Sequence, residues 1–127
     1  MKLHLSDSSG LNVFSGYGEG YVAVNQVRYT DNMIVLPNRI IEHWQASSIS
    51  QLGMEHFDAL LAMQPEIILL GTGTSLQFPD ASLMRMILSR GIGFEVMDTQ
   101  ATCRTYNILS SEGRRVAAAI LVRSTDG

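Results

Sequence analysis

The sequence predicts a three-layer α/β domain: a central mixed, mostly parallel β-sheet flanked by helices, with a β-rich N-terminal half. Three observations carry this. Between Tyr21 and Trp44 the chain reads as short runs rich in Val, Ile and aromatics, "YVAVN", "QVRY", "MIVLP" and "RIIEHW". From Met54 onward the apolar period becomes helical, and strand-like and helix-like segments then alternate. The runs "IILL" and "VAAAIL" are apolar almost throughout, as strands covered on both faces are.

Each element has its own signal. Residues 1–10 form a polar arm ahead of Leu11, Val13 and Phe14. "GYGEG", Gly16 to Gly20, spaces three glycines by two and predicts a turn or bulge. No helix follows it, so it is not a phosphate motif. Asn25-Gln26 stands where a two-residue hairpin calls for Asn-Gly, which leaves the turn type open. Thr30–Asn32 is a loop, and Pro37 ends the third run because it has no N–H for a ladder. Met54, Phe57, Leu60 and Leu61 predict a short amphipathic helix closing at Gln64-Pro65.

Strand Ile67–Leu70 comes next, then a loop and a helix from about Asp80 to Arg90. Leu83, Met84, Ile87 and Leu88 line one face of that helix, and Gly91 stops it. Phe94–Met97 is a strand. Thr99 to about Ser110 is a helix with Ala101, Cys103, Tyr106, Ile108 and Leu109 inward, and Gly113 breaks it. Val116–Leu121 is the last strand, and residues 124–127 are expected to fray. Right-handed crossovers place Ile67–Leu70, Phe94–Met97 and Val116–Leu121 in one sheet.

Composition narrows the function. The 127 residues, 46% hydrophobic and 17% charged, suit one globular domain, and the net charge of −3 comes without a basic stripe. Nucleic acid is therefore not an expected partner. The single Cys103 cannot close an internal disulfide, which fits a reducing compartment. The N-terminus is too short and polar for a secretory signal, and no apolar run approaches the ~20 residues of a membrane span. The expected location is the cytoplasm.

The stretch "EIILLGTGTS", Glu66 to Ser75, is the first candidate for chemistry. A dinucleotide fingerprint needs a third glycine and an immediate helix, and here Leu76 holds that position while Pro79 delays the helix. No Gly-Lys-Ser/Thr occurs, so there is no Walker loop. Gly71 and Gly73 allow a sharp exit from a strand without any ligand. Yet α/β proteins place sites at the carboxyl ends of parallel strands, and Gly71 and Met97-Asp98 are two such ends. A shallow polar pocket lined by Thr72, Thr74, Asp98 and Thr99 is the expectation.

"MDTQATCRTYN", Met97 to Asn107, is the second cluster. Asp98 or Thr99 can cap the following helix. Arg104 and Asn107 project from a shared face, and an Asn in mid-helix suggests a specific hydrogen-bonding task. Arg104 either holds Asp98 or an anion, or is solvated. His4, His43 and His56 lack metal spacing, Ser75 is in no nucleophile elbow, and Cys103 has no visible base. No catalytic dyad can be assembled from spacing, and no cofactor is expected.

Together "GYGEGYVAVN", "EIILLGTGTSLQFP" and "FEVMDTQATCRTYNILSSEGRRVAAAIL" resemble a small single-domain family of unknown molecular function. That family includes the mitochondrial respiratory complex I (NADH dehydrogenase) assembly factor 3 and the adipogenesis-associated proteins. The resemblance runs from about Leu11 to Val122. It implies a three-layer fold with one sheet strand antiparallel to the others, and no established catalysis. It also implies that Gly71, Thr72, Gly73, Met97, Asp98, Thr99, Arg104, Thr105 and Asn107 gather around one groove.

Two departures stand out. Gln26 replaces the family's usual Gly, which suggests a wider turn, and Thr102 replaces a usual Ala. The Thr102 hydroxyl either adds polarity to the groove or bonds back to its own helix. The expected function is binding or assembly through protein partners, with a small anion possible at the Gly71–Gly73 loop. The alternative is a small-molecule or nucleotide-binding protein or enzyme using the Gly71–Ser75 loop and Asp98. Asp98 is expected to cap its helix while Arg104 and Asn107 face a ligand or partner.

Overall fold

Residues 10–123 are described by this computed structural model; most of the polar arm and the tail 124–127 lie outside them. The first three strands, β1 (Phe14–Gly18), β2 (Tyr21–Val24) and β3 (Val27–Tyr29), form an antiparallel meander. The sequence pattern did not predict β1, because "FSGYG" has two glycines in five residues. "GYGEG" proves to be both bulge and turn: register shifts between Phe14 and Gly16, and Glu19-Gly20 joins the paired Gly18 and Tyr21.

The Asn25-Gln26 turn is not widened. Val24 pairs with Val27, and both turn residues have positive φ, 53° and 72°, as a type I′ hairpin requires. Neighbours hold Gln26 in a conformation that usually takes glycine. Its N–H donates to Ser15 Oγ (2.9 Å), and Asn25 Nδ2 donates to Asn12 Oδ1 (2.8 Å).

The second sheet has five strands in the order β5-β4-β8-β6-β7. These are β4 (Met33–Leu36), β5 (Arg39–Ile41), β6 (Ile67–Gly71), β7 (Gly93–Met97) and β8 (Val116–Ile120). β6 pairs in parallel with both β7 and β8, and β4 is antiparallel to β8 and β5. β4 therefore runs against the other four. The three predicted parallel strands do share one sheet. β5 stops short of Trp44, because His43 has φ 56° and turns the chain away. Trp44 then anchors inward, its Nε1–H donating to His56 O (2.7 Å) and its ring edge-on to Phe57.

Helices cover both faces. On one, Ile68, Leu70, Ala117 and Ala119 pack with Leu83 and Ile87 of α2 (Ala81–Leu88) and with the Trp44–Phe57 segment. On the other, Leu69, Val116, Ala118 and Ile120 pack with Cys103 and Tyr106 of α3 (Thr99–Ser111) and with Phe14, Val22 and Val24 of the meander. The helix expected at Met54 is a 3-10 turn, Met54–Phe57, leading into the single-turn α1 (Asp58–Leu61).

Two inward assignments are corrected. Leu88 is 49% and Ile108 58% exposed. The buried stripe of α3 runs through Thr102, Cys103, Tyr106 and Ser110, and a 3.6-residue period turns Ile108 away from it.

Candidate functional site

β6, β7 and β8 end together, with Gly71 level with Met97 and Ile120. Chain connections from β6 lead first to β7 on one side and then, through α3, to β8 on the other. The strand ends at such a reversal form a crevice. The loop after β6 enters it firmly tied. Thr72 N–H donates to Met97 O (3.0 Å). The buried Thr72 Oγ1 donates to Ser75 O (2.7 Å) and accepts from Gln77 N–H (3.2 Å).

A reciprocal clasp joins this loop to α3. Gly73 N–H donates to Thr99 Oγ1 (3.0 Å), and Thr99 N–H donates to Gly73 O (2.8 Å). Gly73 has φ 95°, which a side chain would resist. Asp98 caps α3: its Oδ1 accepts from Ala101 N–H (2.8 Å). Thr102 Oγ1 donates back to Asp98 O (2.8 Å), which settles the alternatives left for that hydroxyl. Thr102 is fully buried, and a Cβ on Gly71 would lie 3.0 Å from its Oγ1, so Gly71 keeps the strand close to the helix.

A cavity of about 340 Å³ opens between these strand ends and the β1–β2 turn. Gly73, Thr74, Asp98, Thr99 and Gln100 line one side; Tyr17, Glu19 and Tyr21 line the other, with Val122 beside them. Gly71, Thr72 and Met97 frame the loop from behind and do not line the cavity. Arg104, Thr105 and Asn107 do not line it either.

Asn107 is placed differently from its expectation. Its Oδ1 accepts from Phe14 N–H and its Nδ2 donates to Phe14 O, both at 2.9 Å. The amide mimics a neighbouring strand on β1 and does not face outward toward a ligand. Tyr106 OH adds a bond to Asn12 O (3.0 Å).

The hairpin residues Tyr17, Glu19 and Tyr21 were not among the expected site residues. Only the glycine spacing of "GYGEG" hints at them, by marking a tight turn that can approach another backbone.

Two carboxylates, Glu19 and Asp98, line the cavity, and among the described residues no Lys or Arg does. Cys103 lies under α3, fully buried, where desolvation pushes its thiol up to about 12, so it is no nucleophile at neutral pH. Burial raises the Tyr106 phenol too. Among the described residues no group of three His, Cys, Asp or Glu could hold a metal ion.

The fold and the clasped crevice define a small three-layer α/β domain with a rim pocket at the carboxyl ends of its parallel strands. The chain belongs to the family described as protein of unknown function (DUF498/DUF598), whose model matches residues 14–121. It is 30% identical over 109 residues to the "13 kDa major membrane protein" of Francisella tularensis subsp. holarctica, covering 85% of this chain and 89% of the relative. It is 37% identical over 89 residues to NADH dehydrogenase (ubiquinone) 1 alpha subcomplex assembly factor 3 of Danio rerio. That match covers 68% of this chain but spans about half, 51%, of the assembly factor. A Xanthomonas campestris protein solved by NMR is similar in structure, with TM-score 0.80 and 38% identity over 98% of this chain and 96% of that one.

Proposed function

We propose that this chain is a binding factor of the assembly type, working by holding a protein partner. The observation that carries the reading is the loop between β6 and α2, where Leu76 and Phe78 are 52% and 63% exposed. Thr72 and the Gly73–Thr99 clasp fix the base of that loop. An exposed aromatic on a pre-ordered loop loses little entropy on docking, and such anchors supply much of an interface's affinity. Assembly factors among the relatives point the same way.

In this reading Gly73, Thr74, Asp98 and Thr99 form the rim that receives a partner's polar groups. Gly71, Thr72 and Met97 hold that rim in place. Among the described residues no helix is long and apolar enough to cross a membrane. In this reading the chain works in the cytoplasm and meets membrane-bound complexes by docking. The test is affinity capture from its own cells with a Leu76→Ser, Phe78→Ser double variant. The variant should melt at the wild-type temperature and lose its partner. Undiminished capture overturns the reading.

The cavity itself favours a second reading, a small polar ligand, since its volume is near the lower end for ligand pockets. An anion at the Gly71–Gly73 loop would displace the Thr99 hydroxyl and face two carboxylates. The ligand of that reading is therefore neutral or cationic. Native mass spectrometry of the purified protein should show its added mass, and calorimetry should show no NAD or ATP binding. Micromolar affinity for either nucleotide would reverse the order of the two readings.

A further inference from the structure

A second concave surface lies at the opposite pole, where β6 and β8 begin and β4 ends. It is a groove of about 450 Å³, distinct from the crevice in position and charge. Its floor is apolar: Leu36 is 7% exposed, Pro65 is buried and Met63 is half-buried. Arg39, Arg114 and Arg115 stand on its wall, all exposed. An adjoining groove shares Arg114 and Arg115 and adds Arg90, so four of the chain's nine Lys and Arg residues collect at this pole.

The arginines are far from saturated. Glu66 is the acid among them, and it sits 3.7 Å from Arg114 Nε and 4.0 Å from Arg115 Nη1, beyond hydrogen-bond range. Glu66 instead accepts the Arg115 backbone N–H at 2.9 Å, and Arg115 Nε donates to Gln64 O at 3.2 Å. A guanidinium offers five donors in a planar fork suited to carboxylates, so beyond the Arg115–Gln64 bond these exposed arginines keep donors for a partner's carboxylates.

We infer that this groove docks an acidic-apolar segment of a partner protein, an apolar side chain entering the floor while flanking Asp or Glu residues pair with Arg39, Arg114 and Arg115. Charge complementarity selects this occupant. The whole chain carries −3 although this pole is positive, so the rest of the surface repels a long polyanion, and a short acidic segment stays within the favourable field. A flat anionic bilayer would meet the arginines without filling the concave floor. The groove uses none of the residues assigned to partner holding above, so either surface can fail without the other.

The test is fluorescence anisotropy with a short labelled peptide in which Glu alternates with Leu and Phe. Binding should be saturable and weaken with salt. It should fall about tenfold or more with Arg39→Glu plus Arg115→Glu, and likewise when the peptide's Glu residues become Lys. Replacing the peptide's Leu and Phe by Ser should also weaken it, and amide shifts should move at Leu36, Met63 and Val116. If the charge-reversed variant fails to fold, Arg39→Gln with Arg115→Gln serves, and the Leu76→Ser, Phe78→Ser variant should bind as wild type. Four results overturn the proposal. These are no binding at low salt, binding indifferent to the arginines, binding that survives loss of the apolar residues, or preference for phosphatidylglycerol vesicles over the peptide.

Discussion

Asn107 shows what a single side chain can do and how sequence can misdirect. An asparagine in mid-helix signals a specific hydrogen-bonding task, and the sequence read that signal correctly while placing its partner in a groove. The partner is the backbone of Phe14, 93 residues away, and nothing local to α3 encodes that contact. Asn107→Ala leaves an N–H and a carbonyl of β1 unpaired, so urea denaturation should show a loss of about 1–3 kcal/mol. Partner capture should fall only as far as folding does. Gln26 offers the opposite experiment. At φ 72° its Cβ is strained, and Gln26→Gly should raise the urea midpoint by an amount worth about 0.5–1 kcal/mol.

At the scale of elements, the clasp between the β6 exit and the start of α3 shapes the crevice. Thr99→Val removes the acceptor for Gly73 N–H while keeping the side chain's shape. Unfolding free energy should drop by about 1–2 kcal/mol, and amide exchange at Gly73 should speed up while β8 stays protected. α2 has its own cap, Asp80, whose carboxylate accepts from Ser82 N–H, a bond that holds its pKa below the usual range. A depressed folded pKa supplies stability above the unfolded value near 3.8, lost as pH falls through the folded value. Asp80→Asn should therefore lower the melting temperature slightly at neutral pH, match wild type in strong acid, and so flatten the acid limb of the profile. The strands and helices of the back half were legible because their apolar runs are long. β1 was not legible, because its glycines carry no pattern and its strand character comes from β2 and Asn107.

For the molecule as a whole, the sequence predicted one sheet with helices on both faces because β6 and β8 are apolar on alternate residues of both parities. It missed the basic pole, since Arg39, Arg90 and Arg114-Arg115 are scattered along the chain and meet only through strand order. Cys103 reports on that whole. Desolvation lifts its folded pKa from 9 to about 12, so its contribution is complete below pH 9 and is lost as pH rises toward 12. Thiol labelling at neutral pH should track global unfolding and no faster local event. The position of β8 also bears on synthesis. It lies between β4 and β6, yet it is the last of these five strands to leave the ribosome. Until residue 120 emerges, β4 and the β6–β7 pair present apolar edges with no strand to join them. A stalled or truncated chain thus exposes two unpaired edges at once, the condition under which chaperone capture and aggregation compete.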